Sequence, residues 1–157
     1  MRKRKGFTLV EIMIVVAIIA LLASIAIPGL LRTRLTANET TAISSLRAIA
    51  TAAETFRSGQ AAPTYPTGMN ALTGATPPYI TGFANVANST NVTKSGYGFT
   101  LGNVDENNYT AVANPSTRGT TGNRSFCIDQ SGIMYANAGA DIAASDTCLA
   151  SGATAMQ

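Results

Sequence analysis

Residues 5–11 read KGFTLVE, and residues 12–31 continue as IMIVVAIIALLASIAIPGLL. Four basic residues, Arg2 to Lys5, stand immediately before Gly6, and a single acid, Glu11, interrupts the apolar sequence that follows Phe7. A carboxylate in the middle of a bilayer costs roughly 2.5–3.5 kcal/mol on insertion scales, so an intramembrane acid is a functional residue by default. The position of Glu11, five residues into the apolar run and close behind a basic leader, is therefore the feature that a reading of this chain must explain.

Two ordinary readings of this stretch fall short. A cleaved secretory signal places small residues after its apolar core, but here the small residue, Gly6, precedes it. A plain anchor fits better, because Ile12 to Leu31 is 20 residues without a charge, close to the ~20 needed to span a bilayer. The basic leader would then hold the N-terminus in the cytoplasm and send the remainder outward. Neither reading accounts for Glu11. Pro28 and Gly29 sit inside the run, and a proline that lacks a donor, followed by a flexible glycine, predicts a kink or a loosened turn there.

KGFTLVE followed by IMIVVAIIALLASIAIP resembles the class III signal sequence of type IV pilins, the type IVa class in particular, and of the related type II secretion pseudopilins. The likeness is close over residues 5–29 and looser to about residue 57. It implies that a prepilin peptidase cuts between Gly6 and Phe7 and methylates the new amino group of Phe7. Cutting there removes the polycationic leader and keeps the apolar segment on the mature chain. It also creates an α-ammonium on Phe7, and a buried ammonium and carboxylate together cost far less than either alone. Glu11 is thus expected to pair with the Phe7 terminus of a neighbouring subunit. The competing reading is an acid lying near the membrane surface.

Beyond Leu31 the sequence turns amphipathic. Leu35, Ala42, Ile43, Leu46, Ile49, Ala50, Ala53 and Phe56 recur at helical spacing, with polar residues such as Asn38, Thr41, Ser45 and Glu54 between them. No Gly or Pro intervenes between Leu31 and Gly59, which predicts helix over 32–57. Joined to the apolar half, the element would run ~50 residues and ~75 Å. The expected layout is a leader at 1–6, a long helix at 7–58 with 7–31 as transmembrane and filament core, an irregular connection at 59–94, and a head at 95–157.

From Lys94 onward the period becomes two. Tyr97, Phe99 and Leu101, then Tyr109, Ala111 and Ala113, then Phe126 and Ile128 alternate with their neighbours. The turns fall near 102–108, 115–123 and 129–132. The expectation is an α+β pilin fold, with the helix packed on a small antiparallel sheet of three or four strands. Tyr97, Phe99, Phe126 and Ile128 should face Leu46, Ile49, Ala53 and Phe56. Cys127 and Cys148 form one disulfide in an exported protein and stay reduced in cytosol. The resemblance favours the former, a bridge worth ~3.4 kcal/mol in the chain-entropy model.

Composition narrows the function. The formal charge of +3 comes from the leader, since without Arg2 to Lys5 there are 7 basic and 8 acidic side chains. Lys94, Arg118 and Arg124 make no basic cluster in the head, which argues against a nucleic-acid partner. The chain has no His, so no Ser-His or Cys-His pair can be built, and neither catalysis nor a cofactor is expected. Asp129, Asp141 and Asp146 match no metal loop and read as turn acids. The Asn-x-Ser/Thr triplets at Asn38, Asn88, Asn91 and Asn108 carry little weight in a chain of prokaryotic type.

The resemblance implies a structural subunit that polymerises into a type IV pilus for adhesion and twitching motility. Its expected partners are copies of itself, the prepilin peptidase, and an inner-membrane assembly platform with its ATPase. It would wait in the inner membrane, N-terminus inside, before moving to the extracellular filament. The alternatives are a pseudopilin of type II secretion, or a minor or tip pilin binding DNA or a surface.

Overall fold

A computed structural model of the chain describes residues 6–83, 91–102, 104–145 and 147–156. The basic leader Arg2–Lys5, the triplet at Asn88 and the acid Asp146 lie outside the described residues. The chain divides into two units, Met1–Arg34 and Leu35–Gln157.

One helix, α1, runs unbroken over Leu9–Ser58 and carries Pro28 in its interior. Pro28 costs the helix one hydrogen bond, since the carbonyl four residues earlier loses its donor. Flanking hydroxyls bond the helix backbone on either side: Ser24 Oγ donates to the Leu21 carbonyl and Thr33 Oγ1 to the Gly29 carbonyl. The helix stops where the first glycine after the apolar half stands. Gly59 N–H bonds back to the carbonyls of Thr55 and Phe56, at 3.2 and 3.1 Å.

In the second unit, α1 buries Ala42, Ser45, Leu46, Ile49, Ala52 and Ala53, at steps of three and one that keep them on one face. A short helix, α2 (Met69–Thr73), adds Met69 and Leu72 to the same core. The sheet follows as β1 (Asn91–Lys94), β2 (Tyr97–Gly102), β3 (Thr110–Pro115), β4 (Ser125–Asp129), β5 (Met134–Asn137) and β6 (Thr154–Ala155). Its spatial order is its chain order, and every pair is antiparallel. It is a meander of six strands rather than the three or four expected. β1 hides in the polar connection because only Val92 of its four side chains is buried. β6 is two exposed residues with no period to read.

Tyr97, Phe99, Phe126 and Ile128 share one core with Leu46, Ile49 and Ala53, and Phe56 packs against it. The opposite face of the sheet carries a second small core. Val112, Cys127 and Tyr135 lie in register across β3, β4 and β5, and Ile142, Cys148 and Ala153 cover them. That is why β3 and β4 are buried on both faces and lose the polar alternation of a half-exposed strand.

Candidate functional site

Phe7 is 85% exposed, and a Cβ built on Gly6 would meet nothing within 4 Å. Among the described residues nothing covers the Gly6–Phe7 junction. Thr8 and Glu11 close the helix start. Glu11 Oε2 accepts from the Thr8 amide and from its hydroxyl, each at 2.9 Å, and the Glu11 amide donates to Thr8 Oγ1 at 3.3 Å. This is a capping box, Thr-x-x-Glu, which satisfies amide donors that a helix N-terminus leaves orphaned. The pattern Thr8-Leu9-Val10-Glu11 is legible in the sequence, and the reading of Glu11 as an acid awaiting an external partner overlooked it.

Behind the cap, the large apolar side chains from Leu9 to Leu31 are all more than half exposed, Ile25 at 75% among them. The helix is long and apolar enough to cross a membrane. A soluble monomer rarely exposes a contiguous apolar patch beyond a few hundred Å², and none of these side chains is covered by the chain itself. Their chemistry is that of burial, in lipid or against other apolar helices.

In the second unit, Cys127 and Cys148 are joined in a disulfide, Cα to Cα 5.7 Å, and both residues are fully buried. The bridge ties the segment around Ile142 and Cys148 to β4. Asn114 adds two bonds to the same segment, Nδ2 to the Ile142 carbonyl and Oδ1 from the Ile142 amide, each 2.9 Å. Asp141 pairs with Arg118 at 2.5 Å, and Asp129 holds the Ser131 amide in its own turn. Asn38 and Asn108 are likewise engaged, with the Thr121 carbonyl and with Asp105.

Sequence reasoning missed one tertiary arrangement. Glu39, buried on α1, accepts at Oε1 from the amides of Asn123 and Arg124, and at Oε2 from Arg124 Nε and Nη2 at 2.9 and 2.8 Å. Burial raises the Glu39 carboxyl pKa, but the Asn123 amide and the Arg124 guanidinium outweigh it and hold it below 4.5. Tyr97 donates to the Arg124 carbonyl at 2.8 Å, its phenol pushed up to about 12 by burial and by Glu39 nearby. The β3–β4 loop is thereby fastened to the helix face. The pair spans 85 residues of sequence, and no local pattern announces it.

The chain's residues 1–27 match the family model described as the prokaryotic N-terminal methylation motif. The type IV wide pilus major component PilA4 of Thermus thermophilus is 60% identical over 40 residues, 26% of this chain and 30% of that one. The type IV major pilin protein PilA of Myxococcus xanthus is 45% identical over 54 residues, 34% and 24% of the two chains. The type II secretion system core protein G of Vibrio cholerae is 37% identical over 73 residues, 46% and 50%. The chain thus spans between a quarter and a half of the length of these relatives. Over its N-terminal part the chain is similar to type IV pilins and to the related type II secretion protein, and it opens with the prokaryotic N-terminal methylation motif.

Proposed function

We propose that the chain is a structural subunit of a type IV pilus filament. The observation that carries this reading is the uncovered apolar stretch of residues 7–31, helical from Leu9 and headed by the exposed Gly6–Phe7 junction and a carboxylate at Glu11. In the precursor, Glu11 is held by Thr8 donors and the helix rests in the membrane, with its basic leader on the cytoplasmic side. Cleavage after Gly6 and methylation at Phe7 remove the leader and leave a cationic terminus. Glu11 of one subunit then accepts the Phe7 terminus of another, and the apolar helices leave lipid for one another.

The proposed organisation is the leader at 1–6, the helix at 7–58, the connection at 59–94 and the head at 95–157. Pro28 and Gly29 are the place where the helix bends to fit its neighbours. Copies of the chain, the prepilin peptidase, and the assembly platform with its ATPase are the partners this reading needs. The inner membrane and then the extracellular filament are its locations. Adhesion and motility are the uses such a filament serves.

The second reading, a pseudopilin of type II secretion, is favoured by the likeness to the Vibrio cholerae protein, which extends over 73 residues. Shearing filaments from the cell surface and analysing their mass separates the two. Filaments composed mainly of this chain, starting at methylated Phe7, are the expected result. Absence of the chain from surface filaments, together with a secretion defect in its deletion, assigns it to the secretion apparatus instead.

A further inference from the structure

The described charged side chains are almost all used within the chain. Glu11 is held by Thr8, Glu39 by Arg124, Asp141 by Arg118, and Glu54 by the Tyr65 hydroxyl. Arg57 bonds Asn107, Lys94 lies over the Phe83 ring, and Asp105 and Asp129 close their own turns. Arg32 has a partner as well. The described charges without one are Arg34, Arg47 and Glu106. Arg34 belongs to the first unit, whereas Arg47 and Glu106 both belong to the second.

Their surroundings are built for contact. Glu106 sits at the exposed tip of the β2–β3 loop, and its neighbours are saturated. Asp105 Oδ1 accepts from the amides of Asn107 and Asn108, both at 2.7 Å, and the Asp105 amide donates to the Asn108 carbonyl at 3.0 Å. Asn107 Oδ1 accepts from Arg57 at 3.2 Å. Residues 105–108 are thus held in one turn within a single copy, which lowers the entropic cost of docking. Arg47 stands on the exposed face of α1 among the short side chains Thr40, Ser44, Ala48, Thr51 and Thr55. Four of these hydroxyls are already spent on helix carbonyls: Thr40 on Thr36, Ser44 on Thr41, Thr51 on Arg47 and Thr55 on Thr51. An approaching loop would meet one long cation and no unsatisfied hydroxyl donor among them.

The two charges do not serve each other within one copy. The Glu106 loop is tied at Asn107 to Arg57, ten residues and so about 15 Å along the helix from Arg47. We propose that Glu106 of one copy seats against Arg47 of a second copy of this chain, setting the axial register between neighbouring subunits. Opposite charges at separate places on one surface make a head-to-tail contact, which every copy can give and receive, the kind of contact that an open helical filament repeats when its rotation does not close into a ring. Complementary charge of this kind fixes register and excludes wrong pairings more than it adds affinity. The inference rests on the filament reading and specifies one contact within it.

The test is charge reversal. Arg47→Glu and Glu106→Arg are introduced into the full chain singly and together, and filaments sheared from the producing cells are quantified by electron microscopy and immunoblot. Circular dichroism of each variant checks the fold. Loss of filaments in both single variants and their return in the double variant is the expected result. Filaments at the parental level in the singles, or no recovery in a folded double variant, overturns the contact while leaving the filament reading standing. If the parental chain itself makes no filaments, the filament reading and the contact fall together.

Discussion

Glu11 and Glu39 lie on one helix and meet the cost of a carboxylate in different ways. Among the described residues Glu11 is bonded to Thr8, its own first turn, so that stabilisation is local. Replacing Glu11 with Ala loses the two bonds that Thr8 donates to the carboxylate, while the residue-11 amide still donates to Thr8 Oγ1, and it leaves the Gly6–Phe7 junction untouched. The expected phenotype of Glu11→Ala is normal leader removal, seen by mass, with no surface filaments; wild-type filament numbers would remove the pairing role. Glu39 is fixed instead by four donors from Asn123 and Arg124. Arg124 remains half-exposed and can rehydrate, so Glu39→Gln is expected to cost about 2 kcal/mol at pH 7 rather than the full penalty of an orphaned buried charge. The pH dependence follows from the lowered pKa. The stabilisation from Glu39 is complete above the ordinary value of 4.5 and is lost as pH falls through the lower folded value. Urea midpoints of the two proteins should therefore differ at pH 7 and converge as the pH is taken well below 4.5. A gap that stays constant into acid would show that the charge of Glu39 is not what stabilises the loop.

At the scale of elements, the disulfide and the second core act as one lid on the outer face of the sheet. Cys127 of β4 is bridged to Cys148, 21 residues on, and the loop-closure term for a ring of that size is ~3.4 kcal/mol. Replacing both cysteines with Ala should lower head stability by about that amount, read as a shift in urea midpoint. Hydrogen exchange should rise first over 142–153, because Val112 and Tyr135 lose the cover of Cys148 while the α1 core keeps its own contacts. Uniform loss of protection across β2 and β3 as well would mean that the lid and the main core unfold together. The same elements show what a sequence can disclose. The helix was readable because Leu46, Ile49 and Ala53 repeat at its period, and β2 because Tyr97, Phe99 and Leu101 repeat at two. β1 and β6 were not, since an edge strand with one buried side chain carries no period. The outer core was unreadable in another way. Val112, Cys127 and Tyr135 look like outward positions until the C-terminal segment folds over them, and that folding is a long-range event with no local signal. At the N-terminus, the Thr8–Glu11 cap was local and legible, whereas the Glu39–Arg124 clamp depends on a register that only the sheet creates.

For the whole molecule, burial is confined to one of the two units. Among the described residues of Met1–Arg34 none is buried, and those from Phe7 to Leu31 are apolar with few exceptions. Both core clusters, the disulfide and the Glu39–Arg124 clamp belong to Leu35–Gln157. Stability of a head and solubility of a chain are then set by different segments. A chain starting at Leu35 should dissolve without detergent as a folded monomer, because it discards the exposed apolar surface and no core residue. Its new helix end loses the Thr8–Glu11 cap and exposes up to four unpaired amides, so fraying is expected over the first turn, next to Glu39. The clamp should limit that fraying, since Glu39 is held from outside the helix by Asn123 and Arg124. Gel filtration with multi-angle scattering, and thermal unfolding beside the full chain in detergent, provide the measurement. Equal midpoints are expected for the truncated and full chains, and a markedly lower midpoint when truncation is combined with Glu39→Gln. An aggregated or loosely packed truncated chain would instead show that residues 7–34 contribute to folding the head, and the division of labour between the two units would fail.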